Sequence, residues 1–175
     1  KDVDGFHPVN MGRLVLGLPG LRPCTPAGVM ELLRRYDLSP YGKRAVIVGR
    51  SNIVGKPLAL MLGAKDKHAN ATVTLCHSAS GNIAGLCREA DFLFLALGKP
   101  EFVKGSMVKD GAVVIDVGIS VTEQGLKGDA EFASVSQKAG AVSPVPGGVG
   151  PMTIAMLLRN TVQAFVAHKP KALRG

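Results

Sequence analysis

The residues best suited to chemistry form one short stretch, Gly49-Arg50-Ser51-Asn52-Ile53-Val54-Gly55, directly after the apolar run 45–48. The spacing matches the phosphate turn G-x-G-x-x-G, with Ser51 at the second glycine position and one added residue before the last glycine. Backbone N–H groups at the start of a helix, together with the helix dipole, attract phosphate. Ser51 permits close approach and adds a hydroxyl donor. Taken alone, such a turn serves tight chain reversal as readily as ligand binding. Its position between a buried strand and a helix, at the head of a strand–helix series, favours a nucleotide.

The end of the second strand bears on which nucleotide. An NAD site commonly places Asp or Glu there to bind the ribose 2′-hydroxyl. Here the chain reads Cys76-His77-Ser78-Ala79-Ser80, without a carboxylate. A 2′-phosphate suits an arginine and a hydroxyl instead, so Arg50 and Ser78 favour NADP over NAD. The alternative for Arg50 is a solvated surface charge.

A second candidate wall is "VSPVPGGVGPMT", residues 142–153, with three glycines and three prolines between a strand and a helix. Gly147 and Gly148 allow positive φ, and Pro151 suits a first helical turn. The segment is either a stiff loop or bare backbone for a flat ligand, and its place at a strand's carboxyl end favours the ligand. The four histidines show no metal-ligand spacing, so no metal is expected. No G-x-S-x-G elbow supports hydrolase chemistry of that type. Asp116, ending an apolar strand, reads as a structural carboxylate that accepts backbone N–H groups.

These residues need a frame. Apolar strands are expected at 44–49, 71–77, 91–97, 111–118 and 141–145. Helices are expected from Thr25 (N-cap) and Pro26 to about Tyr36, at 53–63, near 82–89, over 130–140 and at 151–168. Val29, Leu32 and Leu33 form the inner face of the first helix. Met152, Ala155, Met156, Leu158, Val162 and Phe165 do so for the last. A polar hairpin is expected around 119–129. Residues 1–26 read as a connector with at most one short strand at 13–18. Continuous apolar strands alternating with helices imply a doubly wound, Rossmann-like α/β fold with a mostly parallel sheet.

Composition narrows the function classes. Hydrophobic residues make up 46% and charged residues 19%, a globular balance. The formal charge of +8 is spread without a basic run longer than two, and aromatics are only 5%. That pattern favours phosphate-rich small molecules over nucleic acid. No stretch reaches the ~20 apolar residues of a membrane span, so no membrane partner is expected. Three cysteines without a CxxC pair suggest free thiols in a reducing cytoplasm. The opening "KDVDGFHP" lacks methionine and reads as a processed or trimmed start, or as the loss of an upstream domain.

In this order, "KDVDGFHPVNMGRL", "PCTPAG", "VGRSNIVGKP", "VVIDVGI" and "SPVPGGVGPMT" resemble the methylenetetrahydrofolate dehydrogenase/cyclohydrolase family over essentially the whole chain. The resemblance is to its cofactor-binding half. The family's N-terminal domain, carrying a Y-x-x-x-K motif with the catalytic lysine, would precede Lys1. It implies a bifunctional cytoplasmic enzyme of one-carbon metabolism, feeding purine biosynthesis and acting on tetrahydrofolate derivatives. NADP-dependent oxidation of 5,10-methylenetetrahydrofolate would be followed by hydrolysis of the methenyl product to 10-formyltetrahydrofolate. It further implies that Asp4 contacts the pteridine and that Pro146, Gly147, Gly148, Val149 and Gly150 form the folate-side wall. Gly49, Arg50, Ser51, Ser78 and Ile119, with Thr25 and Thr153, would be the cofactor set, and the domain would form a homodimer. The implied division is a connector (1–26), a nucleotide domain (27–168) and a tail (169–175). The alternatives are another two-domain dehydrogenase of the shikimate dehydrogenase type and a non-enzymatic NADP-binding module.

Overall fold

In a computed structural model, which describes residues 2–168, the chain begins with two helices, α1 (Pro8–Val15) and α2 (Cys24–Arg35). Then come β1 (Arg44–Val48), α3 (Gly55–Leu62), β2 (Thr72–Cys76), α4 (Ile83–Arg88), β3 (Phe92–Leu95) and β4 (Val113–Asp116). A hairpin of β5 (Ser120–Thr122) and β6 (Gly125–Lys127) precedes the single turn α5 (Phe132–Val135), β7 (Ala141–Val142) and α6 (Val149–His168). Strands β2-β1-β3-β4-β7 form one sheet in that order, with all pairings parallel. From β1 the chain builds outward to β2 on one side and to β3, β4 and β7 on the other. The switch point therefore lies between β1 and β3, where ligands of open α/β sheets bind.

Alternate residues of the central strands feed two cores. Val46, Val48, Leu93, Leu95 and Val114 pack on one face with Cys87, Val103 and Val135. Ala45, Ile47, Phe92, Phe94 and Ile115 pack on the other with Val29, Leu33, Leu58 and Leu62. Burial on both faces explains why the strands read as unbroken apolar runs. Each such Val, Leu or Phe contributes roughly 1.5–3 kcal/mol. Of the inner face expected for α2, Val29 and Leu33 are buried and Leu32 is half-buried.

Several expectations need correction. Residues 13–18 are not a strand; Arg13 to Val15 end α1. Pro8 opens that helix, the His7 ring nitrogen accepts the Val9 N–H at 3.2 Å, and Asp2 accepts the Phe6 and His7 amides. Helix α2 starts at Cys24 with Pro23 at the N-cap, so Thr25 is helical and does not cap. The helix expected over 130–140 shrinks to one turn, because Ala130 is drawn into a bridge with Val103 and the Gly140 amide bonds to Ala112. The strand expected over 141–145 stops at Val142, since Pro144 has no N–H to continue the ladder. Helix α6 begins at Val149, two residues before Pro151. Its buried face is Met156, Asn160 and Ala164; Leu158 and Val162 are 64% and 62% exposed and Phe165 is also exposed. The tail expected at 169–175 lies outside the described residues.

Candidate nucleotide site at the sheet's switch point

Gly49 leaves β1 at φ +126°, and a Cβ there would overlap the Ala96 carbonyl just past β3. A Cβ on Gly55 would overlap the Gly49 carbonyl. Both glycines are thus required by close backbone approach, not by turn propensity alone. Ser51 Oγ accepts the Val54 N–H at 3.1 Å and the Gly55 N–H at 3.4 Å, capping the entry to α3. Used as an acceptor by the helix, the hydroxyl keeps its own proton to donate outward.

In the β1–β2 register Val48 pairs with Cys76, so Arg50 and Ser78 each lie two residues beyond a paired position. Both are exposed. The turn after β2 is tied internally, with Ser80 Oγ accepting the His77 N–H at 3.1 Å and His77 Nδ1 accepting the Ala79 N–H at 3.2 Å. Lys56, on the exposed side of α3, donates to Asn52 Oδ1 at 2.7 Å. This rim carries arginine and hydroxyl groups and, between β1 and β2, no acidic side chain at 49–51 or 77–80.

Beside β4 a cleft of about 390 Å³ is lined by Val117, Ile119, residues 144–151 and Ile154. It brings Ile119 together with Pro146, Gly147, Gly148, Val149 and Gly150. Gly147 has φ +97°, and a Cβ on Gly148 would overlap the Pro144 carbonyl. Ile119 is 54% exposed, with its Cδ1 3.9 Å from where a Gly150 Cβ would stand. The wall is therefore bare glycine backbone set among aliphatic side chains, with the exposed Ile119 facing Gly150.

Thr25 and Thr153 meet through their hydroxyls at 3.0 Å, joining the first turn of α2 to the second turn of α6. Asp4 precedes Gly5, whose φ of +79° and contact with the Arg22–Pro23 backbone hold the segment against the start of α2. Asn160, buried in α6, donates to the Val3 and Arg22 carbonyls at 2.8 Å each. The Asp4 side chain is exposed and is not part of the 390 Å³ cleft. The candidates thus fall into three neighbouring groups: the turn with Ser78, the glycine wall with Ile119, and Thr25, Thr153 and Asp4 at the helix starts.

Two buried acids brace these groups: Asp116 accepts backbone N–H groups as its place at the end of an apolar strand suggested, whereas sequence reasoning missed Asp129 and Asn160. Asp116 is 2% exposed and accepts N–H groups from Gly118 (3.0 Å), Asp129 (3.1 Å) and Ala130 (2.7 Å). Burial pushes its carboxyl up to about 6, with Asp129 adding to the rise while the three N–H donors oppose it. Asp129, fully buried, accepts the Leu97, Gly98 and Lys99 amides at 2.6, 3.1 and 2.7 Å. A Cβ on Gly118 would strike the Asp129 carboxylate, and one on Gly128 that of Asp116. The pair Gly118 and Gly128, each next to an unusual acid-bearing loop, was the signal available in the sequence. Asn160 left none, being a lone polar residue within an apolar helix.

A parallel sheet with its glycine turn at the switch point, a capped helix behind that turn and a basic rim define a doubly wound dinucleotide-binding domain. The family model for the tetrahydrofolate dehydrogenase/cyclohydrolase NAD(P)-binding domain matches residues 23–169, and the chain belongs to this family. It is 72% identical over 165 residues to "Bifunctional protein FolD" of Nitratidesulfovibrio vulgaris strain DP4, covering 94% of this chain and 58% of that protein. The chain thus spans well under two thirds of that relative's length. A crystal structure of the Campylobacter jejuni bifunctional enzyme FolD superposes with a TM-score of 0.91 at 50% identity, over 97% of this chain and 59% of that one. The Trypanosoma brucei FolD structure, complexed with NADP cofactor and inhibitor, gives 0.87 at 40% identity, over 100% and 60%. Among the described residues, no helix is long and apolar enough to cross a membrane.

Proposed function

We propose that this chain is the cofactor-binding part of a bifunctional folate enzyme. The enzyme oxidises 5,10-methylenetetrahydrofolate to the methenyl form with NADP and hydrolyses that product to 10-formyltetrahydrofolate. The observation that carries the cofactor reading is the paired placement of Arg50 and Ser78 beyond the Val48–Cys76 register, beside a glycine cradle that a Cβ would fill.

The residues fit the group. Gly49 and Gly55 let the chain approach a diphosphate, and Ser51 offers it a hydroxyl proton. Arg50 and Ser78 suit a 2′-phosphate. Ile119 and the backbone of 146–150 form an apolar wall for flat rings, excluding water on that side. Thr25 and Thr153 border it. When bound, the cofactor supplies the hydride acceptor. The Asp4 carboxylate suits the adjacent N–H donors of a pterin edge. Lys56 is engaged by Asn52 and lies in the cofactor helix, so the proton-transferring lysine is expected in the further length that the relatives carry. The domain arrangement, homodimer formation and a cytoplasmic location accord with the same reading.

Calorimetric titration with NADP and NAD, paired with an assay for NADPH formation and methenyl-folate decay, tests it. The 175-residue chain is expected to bind NADP more tightly than NAD and to show no turnover. Equal affinity for both cofactors would refute the 2′-phosphate reading, and enzyme-like turnover would put the catalytic group within these residues.

A further inference from the structure

At the opposite, amino edge of the sheet lies a second cavity, of about 750 Å³, between α1, α2, α6 and the loop 63–71 that follows α3. We propose that it binds a phosphomonoester, with the phosphate held by Arg22 and Arg159 and an apolar body lying on Met30, Met61 and Met156.

Its cations outnumber its acids. Arg22, Arg34, Lys65 and Arg159 line it, against Glu31 and Asp66. Glu31 is already engaged by Arg34 at 2.7 and 3.0 Å and by Arg35 at 2.8 Å, and Asp66 accepts the His68 N–H at 2.8 Å. Two positive charges are left over, the charge a phosphate dianion neutralises.

Arg22 is the specific feature. Its Nη2 donates to the Leu18 carbonyl at 2.7 Å, which fixes the guanidinium plane. Its Nη1 is buried and has no hydrogen-bond partner among the described residues. Buried donors are nearly always satisfied, so an orphaned, pre-oriented guanidinium nitrogen calls for an acceptor. Arg159 Nη1 lies 3.9 Å from the Met156 sulfur, a weak acceptor that leaves most of its donors for a stronger one. Arginine forks match phosphate oxygens two at a time. The three methionines that line the cavity, one each from α2, α3 and α6, are flexible, polarisable side chains that adapt to an apolar ligand body.

The site is separate from the nucleotide turn: Gly49 and Arg50 follow the carboxyl end of β1, whereas the loop 63–71 leads into the amino end of β2. The proposal therefore does not rest on the folate reading.

The probe is phenyl phosphate, titrated by calorimetry into the chain carrying Arg50→Ala, which weakens competition from the nucleotide turn. Saturable binding is expected, about tenfold tighter than inorganic phosphate and absent for phenol. Arg159→Gln, a change at an exposed helix position, is expected to weaken it at least tenfold while the circular dichroism melt stays unchanged. Arg22→Gln should act in the same direction wherever that variant folds. Absence of saturable binding, retention of full affinity in Arg159→Gln, or binding that disappears with Arg50→Ala alone would each overturn the proposal.

Discussion

The Asp129 N–H donates to Asp116 Oδ1 at 3.1 Å, while the Asp129 carboxylate itself receives three amides from the loop after β3. Two buried acids thus link the end of β4 to the loop beside the switch point, each acting as an acceptor and neither paired with a side-chain cation among the described residues. Removing the second acceptor leaves three part-buried amides without their carboxylate, and a cavity at a fully buried position. Asp129→Ala is expected to lower stability by about 3–5 kcal/mol. Asp129→Asn, which retains one acceptor oxygen, should cost about half as much. Urea denaturation measures both, and a loss below about 1 kcal/mol in the alanine variant would contradict the bracing role.

Asp116 gives this linkage a pH dependence. Burial raises its folded-state carboxyl to about 6, above its ordinary value of 3.8. Between those values the folded chain holds a proton that the unfolded chain releases. Its contribution to stability therefore falls as pH rises from about 4 to 6, by about 2–3 kcal/mol in all. Asp116→Asn cannot titrate, so the difference in unfolding free energy between wild type and this variant should change across that window. A difference independent of pH would exclude Asp116 as the titrating group.

The exposed ion pairs on α2 behave in the opposite sense. Hydrogen bonds from Arg34 and Arg35 hold the Glu31 carboxyl down at about 2. Its stabilisation is present above the ordinary value of 4.5 and is lost as pH falls from there towards 2. Solvent screens these pairs because both arginines are more than half exposed. Glu31→Gln is therefore expected to cost only about 0.5–1 kcal/mol at pH 7 and nothing near pH 2. Thermal melts at the two pH values would show it; an undiminished cost in acid would argue for a packing role.

Much of this architecture was legible because its causes are local. The runs 45–48 and 92–95 are apolar at every position, which in so short a segment leaves little but a two-sided buried strand. The glycine turn was legible for the same reason, since Gly49 and Gly55 answer to atoms within the strand–turn–helix unit or directly beside it. The failures have remote causes. The inner face of α6 could not be read from hydrophobic spacing, because Asn160 occupies it to bind carbonyls of residues 3 and 22. Asp129 fell at the end of the expected polar hairpin with nothing local to mark it, because the amides it accepts lie 30–32 residues away. Helix α1 was hidden by its own caps: the Gly-, His- and Pro-rich start that suggested irregular chain supplies the His7 cap and Pro8.

Gly49→Ala tests the cradle apart from its charge. The new Cβ would overlap the Ala96 carbonyl at a φ that L-residues rarely adopt. Relief requires β1 and β3 to part at their carboxyl ends. A stability loss of at least about 2 kcal/mol is expected, together with loss of nucleotide binding. Wild-type affinity in a folded Gly49→Ala chain would mean that the nucleotide does not use this turn.

Arg50 separates recognition of the 2′-phosphate from recognition of the rest of the nucleotide. Its side chain is exposed, so truncation leaves the cores untouched and the binding readout is not confounded by unfolding. Charge-assisted hydrogen bonds of this kind contribute about 1.5–3 kcal/mol, so Arg50→Ala should weaken NADP by about 10- to 150-fold and leave NAD nearly unchanged. Ser78→Ala, removing a neutral donor, should cost about 0.5–1.5 kcal/mol in the same selective way. Discrimination should also shrink as pH falls below about 6, where the phosphate takes up its second proton, and as salt rises. Isothermal titration of both cofactors into wild type and the two variants at pH 5 and pH 8 reads all of these effects. Equal losses for NADP and NAD in Arg50→Ala would assign the arginine to the diphosphate, and an unchanged NADP affinity would leave it a solvated surface charge.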